Sequence, residues 1–444
     1  MNIEFMNNIL RWICGVAVVA VLAVGASCSE DSPEPAPEPD TPEAPETPGE
    51  PQEPVVTPVG KSRNIELEAQ QQAFVDATIA TSFRMFTLLN SQDRALGEES
   101  PGAVNTETPS DNIVFSPLGV SYAAMALANG ASGESRSQIL SALGFEGRSI
   151  DEVNGFFRFL SDELSSLDPT SEFRISNSVW VGNHFKDCVK PDYIATMESF
   201  YDAPTSFVGS FRSDAGGALI NEWGREVSNG FLDRFFLFGG DETLMALANI
   251  PYFKSGWVWP FDIEKTADAV FYNEDGSEST VKMMSGCNDV IIYKKLSNED
   301  YLALRLPYGN EAFVMTIFYP RVEIDRCIEA IERDKEYLTW LAMDERMPVA
   351  HHYVRMPKFD VTYSSQMVKG IMHGLGATDA FDQDKADLSG MFDLGRMAGL
   401  YANPYGTLLV QSCRIAVDEK KTEAASGTYL LGHSGGREDP YEIV

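Results

Sequence analysis

The sequence predicts an α+β fold, because segments with helical spacing of apolar residues come first and segments with strand composition dominate the remainder. The chain has 444 residues, 44% of them hydrophobic, which is enough to bury one large core or two smaller ones. Regular alternation of strands and helices would instead have predicted a doubly wound parallel sheet. The helices are therefore expected to pack on sheets formed by later parts of the chain.

Residues 1–27 have the layout of a secretory signal peptide. One cation, Arg11, precedes an apolar run at residues 12–26 that is short for a membrane-spanning helix. The stretch Gly25-Ala26-Ser27-Cys28 resembles a bacterial lipoprotein processing site, in which Cys28 becomes the lipidated first residue. Gly25 departs from the Leu-like residue that is usual there, and the alternative is plain secretion with a coincidental cysteine.

Residues 28–63 form a predicted tether. Ten prolines lie between residues 33 and 58, interleaved with Glu and Asp, so the segment is stiff, extended and unable to bury a core. Ser29-Glu30-Asp31 resembles the acidic tags of some Gram-negative surface lipoproteins. The expected location is therefore the outer membrane, facing outward, held only by a lipid anchor; the alternatives are periplasmic or secreted. The net charge of −32 argues against nucleic acid and anionic membranes as partners, although part of it belongs to the tether.

The predicted folded part starts at residue 64. Residues 112–131, NIVFSPLGVSYAAMALANGA, read as a short strand, a break at Ser116-Pro117 and a helix closed by Gly130. Other segments have apolar residues at helical intervals, namely 67–89, 136–144, 151–166, 214–229, 323–343 and 365–374. Segments rich in β-branched and aromatic residues predict strands at 175–181, 244–253, 301–308, 311–320, 353–361 and 408–417.

The stretch Val417–Thr428, VDEKKTEAASGT, is the one most suggestive of function. After a charged lead-in, Thr422 to Thr428 are almost all small residues, and proline is absent. Such a segment suits a strand that slides into a packed sheet, where bulky side chains would clash and proline would remove a ladder hydrogen bond. Taken alone, the same composition is also that of a flexible linker.

Several motifs, in this order and spacing, resemble those of the serpin family, and the match covers roughly residues 64–444. The motifs are Asn112 to Pro117 with the helix through Ala131, Asn177 within ISNSVWV, Asn221-Glu222-Trp223, Asn249 to Trp257, Met356 to Phe359, and Leu375 to Phe381 with Ala386 to Met391.

The resemblance implies a serpin fold, with N-terminal helices packed on a large central mixed β-sheet, smaller sheets, and an exposed reactive loop near the C-terminus. It also implies a protease inhibitor rather than an enzyme, which needs no cofactor and is expected to be a monomer. A host or bacterial serine or cysteine protease would attack the loop and form an acyl-enzyme, and the loop would then insert into the sheet as a strand. The alternative is a non-inhibitory or truncated serpin that acts as a protease substrate or binding module.

The resemblance also implies roles for individual residues. Lys421 stands where inhibitory relatives usually have glycine, which predicts slower insertion, and Gln411 stands where many relatives have histidine. The implied hinge of the loop consists of Glu419, Lys421, Thr422, Glu423, Ala424, Ala425 and Ser426. The implied gate, which holds the central strands together until they part, consists of Ser116, Asn177, Gln411 and, at the top of the sheet, Trp257.

The reactive bond has more than one candidate. Counting forward from the hinge gives Gly435–Gly436, whereas counting back from residues 440–444 favours Gly436–Arg437 or the bond after Arg437. Arg437 would select trypsin-like proteases, and glycine would select a small-residue or permissive site. Serpins continue with two further strands after this point. Residues 64–444 are thus expected to lack the last strands of the domain, through truncation, incompleteness or a strand supplied by another chain.

Three other sequence patterns bear on this interpretation. Gly432 to Gly436 matches G-x-S-x-G, but the nucleophile elbow of a hydrolase needs a following helix and a downstream acid and histidine. His351 and His352 are adjacent and would face opposite sides of a strand, so no metal site is expected. The cysteines outside the leader show no CxxC spacing, and their disulfide state is open; they are Cys188, Cys287, Cys327 and Cys413.

Overall fold

The computed structural model describes residues 19–21, 65–99, 112–241, 243–273, 276–286, 295–297, 299–333, 354–366, 368–398 and 403–434. In chain order, the helices are α1 (Ala69–Glu99), α2 (Pro117–Gly130), α3 (Gly133–Ala142), α4 (Ile150–Ser166), α5 (Pro191–Tyr201), α6 (Gly216–Val227), α7 (Ile324–Arg333), α8 (Val368–Gly374) and α9 (Leu394–Met397).

The described strands are concentrated in the second half of the chain. They are β1 (Val19–Val21), β2 (Ile113–Phe115), β3 (Glu172–Gly182), β4 (Thr205–Val208), β5 (Thr243–Gly256), β6 (Ala267–Tyr272), β7 (Glu278–Ser285), β8 (Lys295–Ser297), β9 (Tyr301–Tyr308), β10 (Phe313–Pro320), β11 (Arg355–Pro357), β12 (Phe359–Ser365), β13 (Pro404–Val417) and β14 (Lys421–Ser434).

Local signals explain where two of the helices begin. Ser116 caps α2 by accepting a hydrogen bond from the backbone N–H of Gly119, and Pro117 fits the first helical position because that position needs no N–H donor. Ser149 and Glu152 form a reciprocal capping box at the start of α4. Every residue of α2 is buried, so this helix lies inside the molecule.

A six-stranded sheet organises the fold, in the order β12-β13-β14-β5-β3-β4. All neighbouring strands are antiparallel except β3 and β4, which are parallel, so the sheet is mixed. Two three-stranded sheets, β11-β7-β6 and β10-β9-β8, and the pair β1-β2 complete the described strands. The predicted α+β architecture, helices on a large mixed sheet with smaller sheets, is confirmed.

The large sheet separates two apolar clusters. The larger one contains much of α2 and α4, and the smaller one contains Phe235, Phe236 and residues of α6. Consecutive residues of β14 contribute to opposite sides: Ala424 and Leu430 belong to the larger cluster, and Ala425, Tyr429 and Leu431 to the smaller one. Burial on both faces is what a central strand requires.

The structure corrects three expectations. The predicted strand 353–361 is two strands in different sheets, because the backbone N–H of Lys358 donates to Lys282 on β7 while Phe359 pairs with β13. Helix α5 and the β6-β7 hairpin were not predicted. The reactive loop near the C-terminus was expected to be exposed, whereas its hinge residues from Thr422 onward lie in a buried central strand, since both neighbouring strands bond to it. No helix in the described part of the chain is long and apolar enough to cross a membrane.

Candidate functional site in the central sheet

Strand β14 contains most of the predicted hinge and lies between β13 and β5. Every residue from Thr422 to Ser434 pairs with β13. Pairing with β5 runs from Lys421, opposite Gly256, to Ala425, and from Thr428 to His433, opposite Thr243, with a register shift between Gly432 and His433. Fourteen residues at a rise of about 3.3 Å span roughly 45 Å, so Ser434 lies at the end of the sheet far from Lys421. The described backbone is uninterrupted from residue 403 to 434. The hinge residues from Lys421 to Ser426 thus lie in a central strand that continues without a break from the turn after β13.

Trp257 marks the end of the sheet where the strand begins. Its indole Nε1–H donates to the carbonyl oxygen of Asp418 at 2.9 Å, and its backbone N–H donates to Lys420 at 3.0 Å. Its ring stacks on Tyr308 with centroids 4.3 Å apart, and the Tyr308 hydroxyl donates to Thr422 Oγ1 at 2.6 Å. Trp257 therefore positions the turn before β14, and through Tyr308 it is linked to Thr422, the first buried residue of that strand.

Glu419 is a buried carboxylate in that turn. Its side chain accepts a hydrogen bond from Lys358 Nζ at 3.0 Å, and its backbone carbonyl accepts from the N–H of Phe261 at 2.8 Å. Burial acts to raise its pKa, but a backbone N–H and Lys358 outweigh this and hold the pKa below the usual value. An ionised Glu419 therefore ties the start of the inserted strand to the segment between β11 and β12. Lys358 was not predicted as a site residue.

Glu423 is the only acidic residue within β14, and its side chain is largely buried. It accepts hydrogen bonds from the Tyr252 hydroxyl at 2.8 Å and from Lys421 Nζ at 2.9 Å, and it lies 3.3 Å from Lys254 Nζ. Burial acts to raise the pKa of Glu423, but these three partners outweigh it, and the pKa lies below its ordinary value. Since Lys254 lies directly opposite Glu423 in the register, the sheet provides a cation for this hinge residue.

Lys421, the departure from the usual glycine, is the first residue of β14 and lies at the end of the sheet, with 39% of its side chain exposed. Its aliphatic part does not need to enter the core, and its ammonium group pairs with Glu423. The inserted strand therefore accommodates this lysine. That this lysine slows insertion stays a prediction, because the rate of insertion is a kinetic quantity and the structure describes only one arrangement of the strand.

The small residues of the hinge are buried in the sheet. Ala424, Ala425 and Ser426 are each at most 4% exposed. The Cys413 thiol lies opposite Ser426 and donates to its Oγ at 3.1 Å, and burial raises the pKa of that thiol to about 12. A cavity of about 20 Å³ borders Ala424, Ala425 and Ser426.

Gln411 connects the gate residues to the inserted strand. Its Oε1 accepts from the backbone N–H of Ser116 at 2.7 Å, and its Nε2 donates to the Ser116 carbonyl at 2.9 Å and to Thr428 Oγ1 at 2.8 Å. An amide satisfies this arrangement because it carries both an acceptor and two donors. Ser116 and Gln411 are therefore in direct contact, as a gate between α2, β13 and β14 requires.

Asn177 lies farther from the inserted strand than the other gate residues near the middle of the sheet. It is on β3, and its Oδ1 accepts from Asn249 Nδ2 at 2.6 Å while its Nδ2 donates to the Tyr201 carbonyl at 2.8 Å. Asn249, on β5, is opposite Thr428 in the register. Asn177 is thus linked to β14 through Asn249, whereas Trp257 is at the end of the sheet.

The second half of β14 was not predicted to be buried. Tyr429, Leu430 and Leu431 have no exposed surface and lie deep in the two clusters. The apolar run Tyr-Leu-Leu was the available signal, because a short apolar run bounded by small residues is typical of a strand buried on both faces. Gly432 to Ser434 continue this strand, so the first part of the G-x-S-x-G match does not form the turn of a nucleophile elbow.

Several predicted residues lie outside the described part of the chain: Cys28, Gly435, Gly436, Arg437 and Cys287. The other three cysteines beyond the leader, Cys188, Cys327 and Cys413, are buried with free thiols. Over the ranges that the structure describes, no group of His, Cys, Asp and Glu side chains is placed to hold a metal ion.

Comparison with known proteins gives a consistent result. A family model described as Serpin (serine protease inhibitor) matches residues 97–444. Leukocyte elastase inhibitor A of Mus musculus is 26% identical over 350 residues, covering 77% of this chain and 88% of that protein. Neuroserpin of Rattus norvegicus is 27% identical over 371 residues, covering 82% and 83%. The crystal structure of cleaved kallistatin complexed with heparin is similar with a TM-score of 0.68 at 25% identity, covering 80% of this chain and 98% of that one.

Proposed function

Because that family match spans most of its length, the chain belongs to the serpin family, and from this premise we propose that it inhibits serine or cysteine proteases by trapping them covalently. The observation that carries the proposal is the position of β14, which places the small-residue hinge between β13 and β5 as a strand that pairs with both. Elastase inhibition is named for one of the relatives, and it is a relative's property.

The proposed reaction begins with the loop outside the sheet. The protease nucleophile attacks the carbonyl carbon of the reactive bond, the peptide C–N bond breaks, and the amine leaves with a proton. The new ester or thioester joins the protease to the residue before the bond. Entry of β14 then carries the bound protease by roughly 45 Å along the sheet, before water hydrolyses the acyl-enzyme.

The inhibitor's own residues contribute position and stored free energy rather than catalysis. Gln411 and Ser116 join α2 to β13 and control whether β13 separates from β5. Trp257 and Glu419 fix the turn from which the strand enters. Tyr252 and Lys254 receive Glu423. The bonds to Thr422, Glu423 and Thr428 from neighbouring strands are made only when the loop is in the sheet, so they favour insertion.

The target class follows from which residue precedes the reactive bond. With Arg437 in that place we propose a trypsin-like target, because an acidic specificity pocket binds the guanidinium group. With Gly435 or Gly436 in that place the target has a small or permissive pocket. We further propose that residues 1–27 are a lipoprotein signal, that residues 28–63 tether the domain to the outer membrane through Cys28, and that it protects the cell surface against host or neighbouring proteases.

The test incubates the purified full chain with trypsin, elastase, subtilisin and papain, followed by denaturing gel electrophoresis and intact-mass measurement. We expect a species at the sum of the two masses, less the released C-terminal peptide, whose mass identifies the bond. A protease with its nucleophile blocked beforehand is the matched control and should give no such species. Cleavage of the loop with full protease activity remaining would instead support the alternative, a substrate or binding module.

A further inference from the structure

Residues 231–240, the covering segment, lie across the seam that β14 occupies. Asn221 on α6 holds the segment by accepting from the backbone N–H groups of Phe235 and Phe236, both at 2.9 Å, and by donating to the Phe236 carbonyl. On β13, Ser412 Oγ donates to the Phe235 carbonyl at 3.4 Å, and Arg414 donates to Phe231 at 3.2 Å. The covering segment is thus held both by α6 and by β13, the strand next to β14.

Phe235 fills a space bounded by two glycines. A Cβ atom added at Gly427 on β14 would overlap the Cβ, Cγ and Cδ2 atoms of Phe235, and one added at Gly224 on α6 would overlap the opposite edge of the same ring. Both glycines have ordinary negative φ angles. They are therefore required for space and not for backbone conformation.

Tyr429, two residues after Gly427, occupies a matching pocket under the same segment. Its hydroxyl oxygen accepts hydrogen bonds from the backbone N–H groups of Leu237 and Phe238, both at 3.2 Å. Its ring lies 4.7 Å from that of Phe236 and 6.1 Å from that of Phe235, and it has no exposed surface. The space at Gly427 therefore accommodates the Phe235 ring, and the Tyr429 hydroxyl meets two backbone N–H groups of the covering segment.

We propose that Gly427 and Tyr429 are positioning residues that set the register of the inserted strand by fitting around Phe235. A slip of one residue would exchange the two faces of the strand and move Glu423 toward the larger cluster. A slip of two would place Ala425 or Tyr429 under Phe235, where even a methyl group overlaps. Only the observed register gives the Tyr429 hydroxyl its two donors. The fit thereby decides how far the loop enters.

The inference deepens the proposed function, since it takes β14 to be the inserting loop. A wrong register would leave the loop short of full entry, and the acyl-enzyme would be hydrolysed. Gly427 and Tyr429 would then change the ratio of covalent complex to simply cleaved chain. That ratio depends on the rate of insertion relative to the rate of acyl-enzyme hydrolysis, and a purely structural role in the starting fold would not change it.

The first test uses Gly427→Ala, Phe235→Ala and the double variant in the full chain. We expect Gly427→Ala to slow insertion about tenfold and to shift the ratio of cleaved chain to complex by the same factor. In the Phe235→Ala background, the same glycine change should have at most a small effect, because the ring that it meets is absent. An unchanged ratio for Gly427→Ala, or an equal defect in both backgrounds, overturns the proposal.

The second test uses Tyr429→Phe and reads amide hydrogen exchange in the loop-cleaved chain. Removing the hydroxyl leaves the N–H groups of Leu237 and Phe238 without their acceptor, so we expect their exchange to accelerate about tenfold. Tyr193→Phe, which removes a buried hydroxyl bonded to Ala126, is the matched control and should leave these two amides unchanged. Equal exchange in wild type and Tyr429→Phe contradicts the proposal.

The two tests separate the inference from the function beneath it. If the wild-type chain forms no covalent complex with any protease, the proposed function fails. The exchange measurement still applies to the cleaved chain, because it reads contacts of an inserted strand and not the trapping of a protease. Slow exchange at both amides in cleaved wild type then supports the register fit, and fast exchange there overturns it.

Discussion

The two halves of β14 are held in the sheet by different kinds of contact. The first half, Lys421–Ser426, has small or polar side chains that bond to Tyr308, Tyr252, Lys254 and Cys413 on other strands. The second half, Gly427–Ser434, includes three large side chains without exposed surface. Full burial of each such side chain stabilises the inserted state by about 1.5–3 kcal/mol.

Under the proposed mechanism, this difference indicates that the two halves of the strand have different roles. Small side chains let the first half enter a seam between two packed strands without displacing the core, which favours speed. Large apolar side chains in the second half make the completed insertion hard to reverse, which favours permanence. Changes in the first half should therefore alter how much protease is trapped, and changes in the second half should alter how stable the product is.

The largest effect is expected from Ala424→Glu in the first half. Ala424 faces the larger apolar cluster and is 3% exposed, so the new carboxylate would be buried without a partner, costing roughly 3 kcal/mol or more. We expect the covalent complex to fall below about a tenth of the wild-type yield while loop cleavage continues. Lys420→Glu, at the exposed position before the strand, is the control and should retain trapping. Equal yields from the two variants would contradict the assigned role of the first half.

Leu430→Ala sharpens the comparison from the other side. It removes a fully buried side chain from the larger cluster, and we expect the loop-cleaved form to lose about 2–5 kcal/mol of unfolding free energy. Complex yield should change less than in Ala424→Glu. Denaturant unfolding of the cleaved chain measures the first quantity. Leu219→Ala, half exposed on α6, should change stability by less than about 0.5 kcal/mol.

Glu423→Gln tests the charge contacts of the first half through pH. The pKa of Glu423 in the inserted strand lies below its ordinary value of 4.5, so its ionised form favours insertion above that pH, and this contribution is lost as pH falls through the lowered pKa. We expect wild-type cleaved chain to lose stability relative to Glu423→Gln on acidification, with the two converging at the lowest pH. Glu172→Gln, which removes the other carboxylate opposite Lys254, is the charge-matched control, and the difference between the two variants isolates the contribution of Glu423.

The smallest effect is expected from Lys421→Gly. The ammonium group of Lys421 forms an ion pair with Glu423 at the start of the strand, and solvent-exposed ion pairs contribute about 0–1 kcal/mol to stability. If the lysine slows insertion, as its place in the hinge predicts, the glycine variant will trap more protease per molecule by a factor of about two to five. Titration of active protease against inhibitor measures this factor. A lower yield in Lys421→Gly would show that the pair with Glu423 matters more than the bulk of the side chain.

The sequence was informative about the first half of the strand and poor about what surrounds it. The small-residue hinge, the capped helix after Ser116, and the gate residues Gln411 and Trp257 could be identified from motifs because each has a local pattern or a family position. Gln411 and Ser116 are 295 residues apart, however, and their contact depends on how β13 packs against α2. A motif indicates which residues take part, and only the fold shows which of them meet.

The covering segment illustrates what the sequence could not provide. Asn221 was noted as part of a motif, but nothing in its neighbourhood indicates that it positions Phe235 over Gly427, more than two hundred residues along the chain. Similarly, the strand 353–361 was predicted as one element because its composition is uniform, whereas the sheet that each part joins is decided by distant partners. Tertiary pairing, not local propensity, determines both.

A strand that enters the sheet without cleavage would have a consequence for how long the proposed inhibitor stays useful. In this structure Ser434, which precedes the candidate bond Gly435–Gly436 by one residue, is at the end of a 14-residue strand within the sheet, so the hinge is no longer free to insert. Under the proposed mechanism each molecule would therefore have a working lifetime, set by the barrier to premature insertion rather than by equilibrium stability. Such barriers are crossed several times faster for every 10 °C of warming. Heat would then deplete the active population irreversibly, while leaving the protein folded.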